Sequence, residues 1–286
     1  MKKVAIVTDS NAGIRQEEAK ELGIFVLPMP FTIDGQTYYE DINLTQEEFF
    51  EKQISGAEIF TSQPVVGNVK ELWDQILKDY DEIVHIPMSS GLSGSCQTAC
   101  MLAQEYDNRV FVVDSQRISV TQKYDVIDAK RMADEGKSGQ EIYDILTENK
   151  LNASIYITVN TLDYLKKGGR ITPAVATLAG LLKIIPIMKL NYDLGGKIDS
   201  FGKVRTAKKA NLKIIDHMVN DCKVNNKDFV FAIEHVLCED LALEMKQKLI
   251  EQIGECEILV RELPAVVGAH MGIGGIGYQY IKKYEG

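Results

Sequence analysis

With 286 residues the chain is too long for one average domain and comfortable for two. Lys and Arg total 32 against 41 Asp and Glu, a net charge of −9. That is the reverse of what phosphate neutralisation demands, so nucleic acid is excluded as a partner and membrane contact is at most transient. The five cysteines are scattered without CxxC pairs, no signal peptide is evident, and no uncharged apolar run is long enough to span a bilayer, so we expect a soluble cytoplasmic protein with reduced thiols.

Taken in chain order, runs rich in Val and Ile recur at Val4–Val7, Ile24–Leu27, Ile83–Ile86, Val110–Val113, Ile155–Val159, Ile184–Met188, Phe229–Ile233 and Ile258–Val260. They are continuous rather than alternating, which predicts strands buried on both faces, as in parallel sheets. Amphipathic helices are expected between them. Val66, Val69, Leu72, Trp73, Ile76, Leu77 and Tyr80 share one face, as do Leu212, Ile215, Met218, Val219 and Cys222, and Ala242, Met245, Leu249 and Ile253. A polar helix runs from Ser138 to Asn149. Asp34-Gly35 between β-prone segments predicts a hairpin over Phe31–Tyr39, and Leu190–Ile198 reads as another. The expected fold is α/β in two domains. An N-terminal three-layer α/β/α domain (1–150) carries a mainly parallel sheet, and a C-terminal α/β domain (151–286) carries a mixed sheet.

Familiar catalytic patterns fail in turn. Gly272-Ile273-Gly274-Gly275-Ile276-Gly277 has the letters of a dinucleotide fingerprint, but too little chain follows Gly277 for the helix, second strand and acidic residue that the motif needs. Its glycines read instead as tight backbone at a loop or pocket wall. Gly91-Leu92-Ser93-Gly94-Ser95 approaches the hydrolase elbow with Ser in the last glycine position. None of His85, His217, His235 and His270 is tied to it by spacing. Metal-ligand spacing is absent, and Cys96 and Cys100, one helical turn apart, read as helix packing. No cofactor is expected. Lys203, Arg205, Lys208, Lys209 and Lys213 form a basic run that reads as a solvated helix face or as a docking surface.

Polar loops follow or flank the predicted strands: Thr8-Asp9-Ser10, Thr61-Ser62-Gln63-Pro64, Ser89 to Ser95, and Asp114-Ser115. In parallel α/β sheets the strand C-terminal ends share one edge, where ligands bind. Short hydroxyl donors and exposed backbone N–H groups there suit a small anionic ligand. Alternatively, Ser62 and Ser90 cap the helices that follow, and Asp9 and Asp114 anchor loops by accepting backbone N–H bonds.

Thr8-Asp9-Ser10, Thr61-Ser62-Gln63-Pro64, Ser90-Gly91-Leu92-Ser93-Gly94, Leu165-Lys166-Lys167-Gly168-Gly169-Arg170, Gly202-Lys203-Val204-Arg205-Thr206 and Gly268-Ala269-His270 together resemble, in order and spacing, the DegV family. The resemblance implies a protein that is not an enzyme. Such proteins hold a long-chain fatty acid in a tunnel reaching between two α/β domains. In bacteria where their role is known, they present its carboxylate to a fatty-acid kinase, which makes acyl phosphate for phospholipid synthesis. Carried over motif by motif, the ligand-binding residues are Thr61, Ser62, Ser93, Gly94, Arg170 and His270. The first domain would hold the head-group loops and the second would complete the tunnel, with Ala174–Leu182 as a candidate wall or as plain core.

Two segments depart from the family pattern. Val120-Thr121-Gln122-Lys123 stands where small residues and glycines are usual, and Met271 and Ile273 stand where Thr and Pro are usual; both segments are expected near the ligand entrance or a partner-facing surface. Two rival readings stay open: an acyl- or phosphoryl-transfer enzyme with Ser93 as nucleophile, and a lipid-bound regulatory module docking through Lys203–Lys213.

Overall fold

The computed structural model describes residues 2–178, 184–222 and 226–284. Two compact units emerge, one of residues 1–151 with 264–266 and the other of residues 152–263 with 267–285.

In the first unit, β1 (Val4–Asp9), α1 (Gln16–Leu22), β2 (Phe25–Leu27), β3 (Pro30–Ile33), β4 (Gln36–Tyr39), α2 (Gln46–Ile54), β5 (Ile59–Thr61), α3 (Val66–Ile76), β6 (Glu82–Ile86), α4 (Ser95–Ala103), β7 (Val110–Val112), α5 (Ser119–Asp134) and α6 (Gly139–Glu148) follow one another. The sheet β2-β1-β6-β7 is parallel throughout. All residues of β1 and β6 are buried, which is why their apolar runs do not alternate. Val69, Trp73 and Ile76 of α3, with Cys96, Ala99 and Leu102 of α4, pack on Ala5, Val7, Ile83, Val110 and Val112. Side chains alternate along a strand, so Thr8 and Ile86 face the other way. There α5 is tied in: the Gln122 side-chain amide donates to Thr8 Oγ1 (3.0 Å) and to the Ile86 carbonyl (3.2 Å). The α6 N-terminus is held by Gly139 N–H donating to Glu82 Oε2 at 2.8 Å.

Three layers result, as the residue pattern predicts. The expectation for 120–123 is corrected in part. Val120, Thr121, Gln122 and Lys123 are buried, not surface-lying, and Lys123 pairs with Glu18. A small antiparallel sheet, β4-β3-β5, completes the unit. Its β3–β4 hairpin turns at Asp34 (φ 49°) and Gly35 (φ 84°), the pair of positive dihedrals that a two-residue Asp-Gly turn supplies.

The second unit contains β8 (Ala153–Thr158), α7 (Asp163–Gly168), α8 (Pro173–Ala176), β9 (Ile185–Asn191), β10 (Lys197–Val204), α9 (Ala207–Asp221), β11 (Phe229–His235), α10 (Glu239–Ile253), β12 (Ile258–Glu262), α11 (Ala265–Met271, its first two residues in the first unit) and β13 (Ile276–Lys282). Its sheet order is β10-β9-β8-β13-β11-β12, with only β11 and β12 parallel. The mixed character is as expected. The β9–β10 hairpin is present, turning through Gly195 and Gly196, both at positive φ. Sequence reading did not foresee β13, whose glycine-flanked start hides a strand inserted between β8 and β11. Ile214, Ile215 and Met218 of α9, with Met245 and Leu249 of α10, cover Tyr156, Phe231, Ile233 and Tyr278. In the candidate wall Ala174–Leu182, Val175 is buried on α8, while 179–182 lie outside the described residues. Among the described residues no helix is long and apolar enough to cross a membrane.

Candidate functional site

In the first unit the hydroxyl loops converge at the C-terminal edge of the parallel sheet. Thr61 ends β5, half-buried and opposite Phe31, and Ser62 beyond it is exposed. Ser62 is not a helix cap, since α3 starts after Val65 without a side-chain cap. Gln63 brings this loop onto α4: its Oε1 accepts from Thr98 Oγ1 at 3.3 Å and stands 3.2 Å from where a Gly94 Cβ would be. A side chain at 94 would press on the Gln63 amide, so glycine here leaves room for the two loops to meet. Ser93 is half-buried, and its Oγ accepts from Ser95 N–H at 3.2 Å. The N-cap of helix α4 is Gly94, which has no side chain to cap with, and Ser93 Oγ takes the first N–H of the helix instead. The helix N-terminus lies next to this loop, and the positive end of a helix dipole favours an anion.

The loop-anchor reading holds for both aspartates. Asp9 accepts from Asn11 N–H (3.0 Å), the Asn11 amide (2.9 Å) and Met88 N–H (2.8 Å), and burial pushes its carboxyl above the usual range. Asp114 accepts from Ser90 N–H (3.2 Å) and Ser90 Oγ (2.6 Å), which assigns Ser90 to loop structure.

Beside these loops lies a small recess lined by Asp9, Leu27, Gln63, Pro64, Val69, His85, Pro87, Ser95, Thr98 and Ala99, with room for about one water molecule. Sequence reading placed Ser95 in the hydroxyl loop but passed over His85 and Thr98 as lining groups. The signals available were the central place of His85 in an apolar strand and the Ser95/Thr98 spacing on one helical face. His85 is 2% exposed and meets the Trp73 ring edge-on at 5.5 Å. Among the described residues neither of its ring nitrogens has a hydrogen-bond partner, and burial lowers its pKa to about 3.

The second unit brings Arg170 and His270 together. Helix α7 ends on Gly169 (φ 69°), with Gly169 N–H donating to the Lys166 carbonyl and Arg170 N–H to the Leu165 carbonyl. This paired closure needs glycine at the left-handed position. The Arg170 guanidinium folds back to donate to the Gly168 carbonyl, as a helix-end arginine does. A Cβ on Gly168 would collide with the His270 ring, so this glycine lets the imidazole lie against α7. Burial first, and then the Arg170 charge, lower His270 to about 4, so the ring is neutral at pH 7. Of the departing residues here, Met271 is buried and Ile273 half-buried, its carbonyl accepting from the Asn160 amide at 3.1 Å. Gly272 and Gly274 sit at positive φ against Tyr164 and Asn160, as expected of tight backbone. Among the described residues no cluster of three or more His, Cys, Asp or Glu side chains could hold a metal ion.

Comparison with known proteins bears on what these loops serve. A family model described as "Uncharacterised protein, DegV family" matches residues 3–283. The chain belongs to the DegV family. A DegV domain-containing protein of Staphylococcus aureus is 29% identical, the match covering 99% of this chain and all of the relative, and one of Caldanaerobacter subterraneus is 30% identical over a similar span. Among solved structures, this DegV chain is similar to DegV, a fatty acid binding protein from Bacillus subtilis, with 29% identity, a TM-score of 0.88 and coverage of 99% and 100% of the two chains. A fatty-acid-binding DegV family protein from Thermus thermophilus gives 30% identity at the same TM-score and coverage. One from Streptococcus agalactiae gives 27% and 0.91, again over 99% and 100% of the chains. The α/β fold read from the sequence is the fold of these DegV structures.

Proposed function

We propose that this chain is a cytoplasmic, non-catalytic carrier that binds one long-chain fatty acid and presents its carboxylate to a fatty-acid kinase for acyl-phosphate formation. The supporting observation is full-length similarity to fatty-acid-binding DegV proteins. In this reading Thr61, Ser62, Ser93 and Gly94, with Arg170 and His270, serve the carboxylate. Residues 1–150 supply the head-group loops and 151–286 complete the acyl slot.

The chemistry is coherent. A carboxylate leaves water only if donors replace its hydration, and hydroxyls, helix N–H groups and a guanidinium are such donors. A neutral His270 adds a donor without a second buried cation beside Arg170. The hydrocarbon tail supplies affinity: at about 0.8 kcal/mol per methylene, some fourteen methylenes contribute roughly 11 kcal/mol before ordering costs.

Mass spectrometry of an organic extract of the purified protein tests the reading, and co-purifying fatty acid is expected. Ser93→Ala should keep the fold and weaken palmitate binding about tenfold, the loss of one hydrogen bond to a charged group. A chain that is always empty and indifferent to palmitate or oleate sinks the proposal. The kinase step is tested by adding a purified fatty-acid kinase and ATP, with acyl phosphate formed only when the loaded carrier is present.

A further inference from the structure

The loop assigned above to the head group is built outward from one residue. The Ser89 carbonyl accepts from Leu92 N–H (3.0 Å) and Ser93 N–H (3.2 Å), and Ser89 Oγ accepts from Gly91 N–H (3.2 Å). Ser89 itself hangs on a second segment, its N–H donating to the Arg117 carbonyl at 2.8 Å. Ser90 is tied to the same segment, bonding the Asp114 carboxylate through both N–H and Oγ. Residues 114–117 are therefore the footing of the turn that carries Ser93.

That footing lies in a backbone conformation that costs free energy. Gln116 (φ 56°) and Ser119 (φ 59°) both occupy the left-handed region, where a Cβ is unfavourable. Residues keep such geometry only where their surroundings over-determine it. Arg117 stands between the two and is 2% exposed. Its guanidinium pairs with the buried Asp125 of α5 and donates at 2.6 Å to the carbonyl of Asn149, the residue that ends α6. We propose that Arg117 is a positioning residue: gripped by α5 and the end of α6, it holds residues 114–119 in their strained path and so sets the place of Ser93 and Gly94 for the ligand. The ligand part of this proposal rests on the fatty-acid reading, whereas the loop part does not.

The side chain acts through its own backbone. An apolar group at 117 fills space but makes no directional bond, so without the guanidinium Gln116 and Ser119 relax toward negative φ. That relaxation turns the neighbouring peptide planes, and the Arg117 carbonyl leaves Ser89 N–H. Glycine at 116 removes much of the reason to relax, because it adopts positive φ as readily as negative. Among the described residues Gln116 Oε1 has no hydrogen-bond partner, so truncation there loses no bond through that atom. Clamp and strain balance each other, and a change in one offsets a change in the other.

Hydrogen exchange of the full-length protein, followed by mass spectrometry of its peptides, tests the loop part. Arg117→Met should speed exchange in residues 89–95 about tenfold or more while leaving β1 unchanged. Palmitate affinity should fall about tenfold, as when one hydrogen bond to a charged group is lost. Adding Gln116→Gly should recover most of the affinity and of the loop's protection. If Arg117→Met does not fold, Arg117→Met/Asp125→Leu, which leaves neither buried charge alone, carries the same predictions. A paired variant that also fails to fold makes Arg117 a plain structural residue and overturns the proposal. Exchange that stays unchanged at 89–95, or rises equally in β1, overturns it too, as does a palmitate affinity that is unchanged or that Gln116→Gly fails to restore. Wild-type protein that binds no palmitate overturns the fatty-acid reading, and the exchange pattern with its glycine rescue still decides the loop part.

Discussion

At the scale of single residues, two histidines that look alike in the sequence have different environments. His270 lies against Gly168 beside Arg170 and is lowered to about 4, whereas His85 is enclosed among Trp73 and the recess walls and is lowered to about 3 by burial alone. A ring whose folded pKa lies below its unfolded value takes its proton preferentially in the unfolded chain. The stability that His85 permits is therefore complete above pH 6.5 and drains as pH falls from there toward 3. Relative to His85→Phe, the wild type should lose about 1.4 kcal/mol for each pH unit below 6.5, measured by urea unfolding at several pH values. Asp9, Asp125 and Asp128, the last raised to about 7, act in the opposite direction. They are present in both proteins, so the difference isolates the imidazole. Equal pH dependence in the two chains would contradict the burial argument. At pH 7 the Phe variant should be no less stable, because it removes a buried polar ring that finds no partner among the described residues.

At the scale of elements, the candidate site is shaped by how helices begin and end. Helix α4 has an N-cap without a side chain, Gly94, and Ser93 Oγ takes its first N–H. In contrast, α2 and α6 close theirs with capping boxes at Thr45 and Ser138. Helix α7 ends in a glycine closure that puts Arg170 and His270 side by side. Substituting Gly168→Ala tests that end. Alanine favours helix by about 1 kcal/mol over glycine, but its methyl would overlap the His270 ring, and overpacking of this kind costs about 1–3 kcal/mol. The overlap is too deep for a small shift to relieve, so net destabilisation of about 1–2 kcal/mol is expected from denaturant unfolding. Adding His270→Ala should remove most of that cost, and a double-mutant cycle with no coupling would refute the contact.

At the scale of the whole molecule, a ligand that binds only the folded chain stabilises it by mass action. Palmitate at about a hundred times its dissociation constant should add roughly 2.7 kcal/mol, so the melting temperature should rise with ligand concentration. Decanoate, with fewer methylenes to bury, should need much higher concentration for the same shift. A melting temperature unmoved by either acid argues against a ligand site altogether.

The two α/β units, the parallel and mixed sheets and both hairpins were legible in the sequence because their causes are local. Continuous Val and Ile runs mark strands covered on both faces, and Asp34-Gly35 can supply the two positive dihedrals of its turn by itself. The six candidate ligand residues were legible only as members of an ordered motif set. Composition and spacing could not say that Gln63 reaches Thr98, that His270 rests on Gly168, or that β13 inserts between β8 and β11. Those facts join residues far apart in the chain. Tertiary packing alone decided them, because a hydrogen bond, a ring against a bare Cα and a strand's neighbours depend on distance in space, of which sequence separation holds no record.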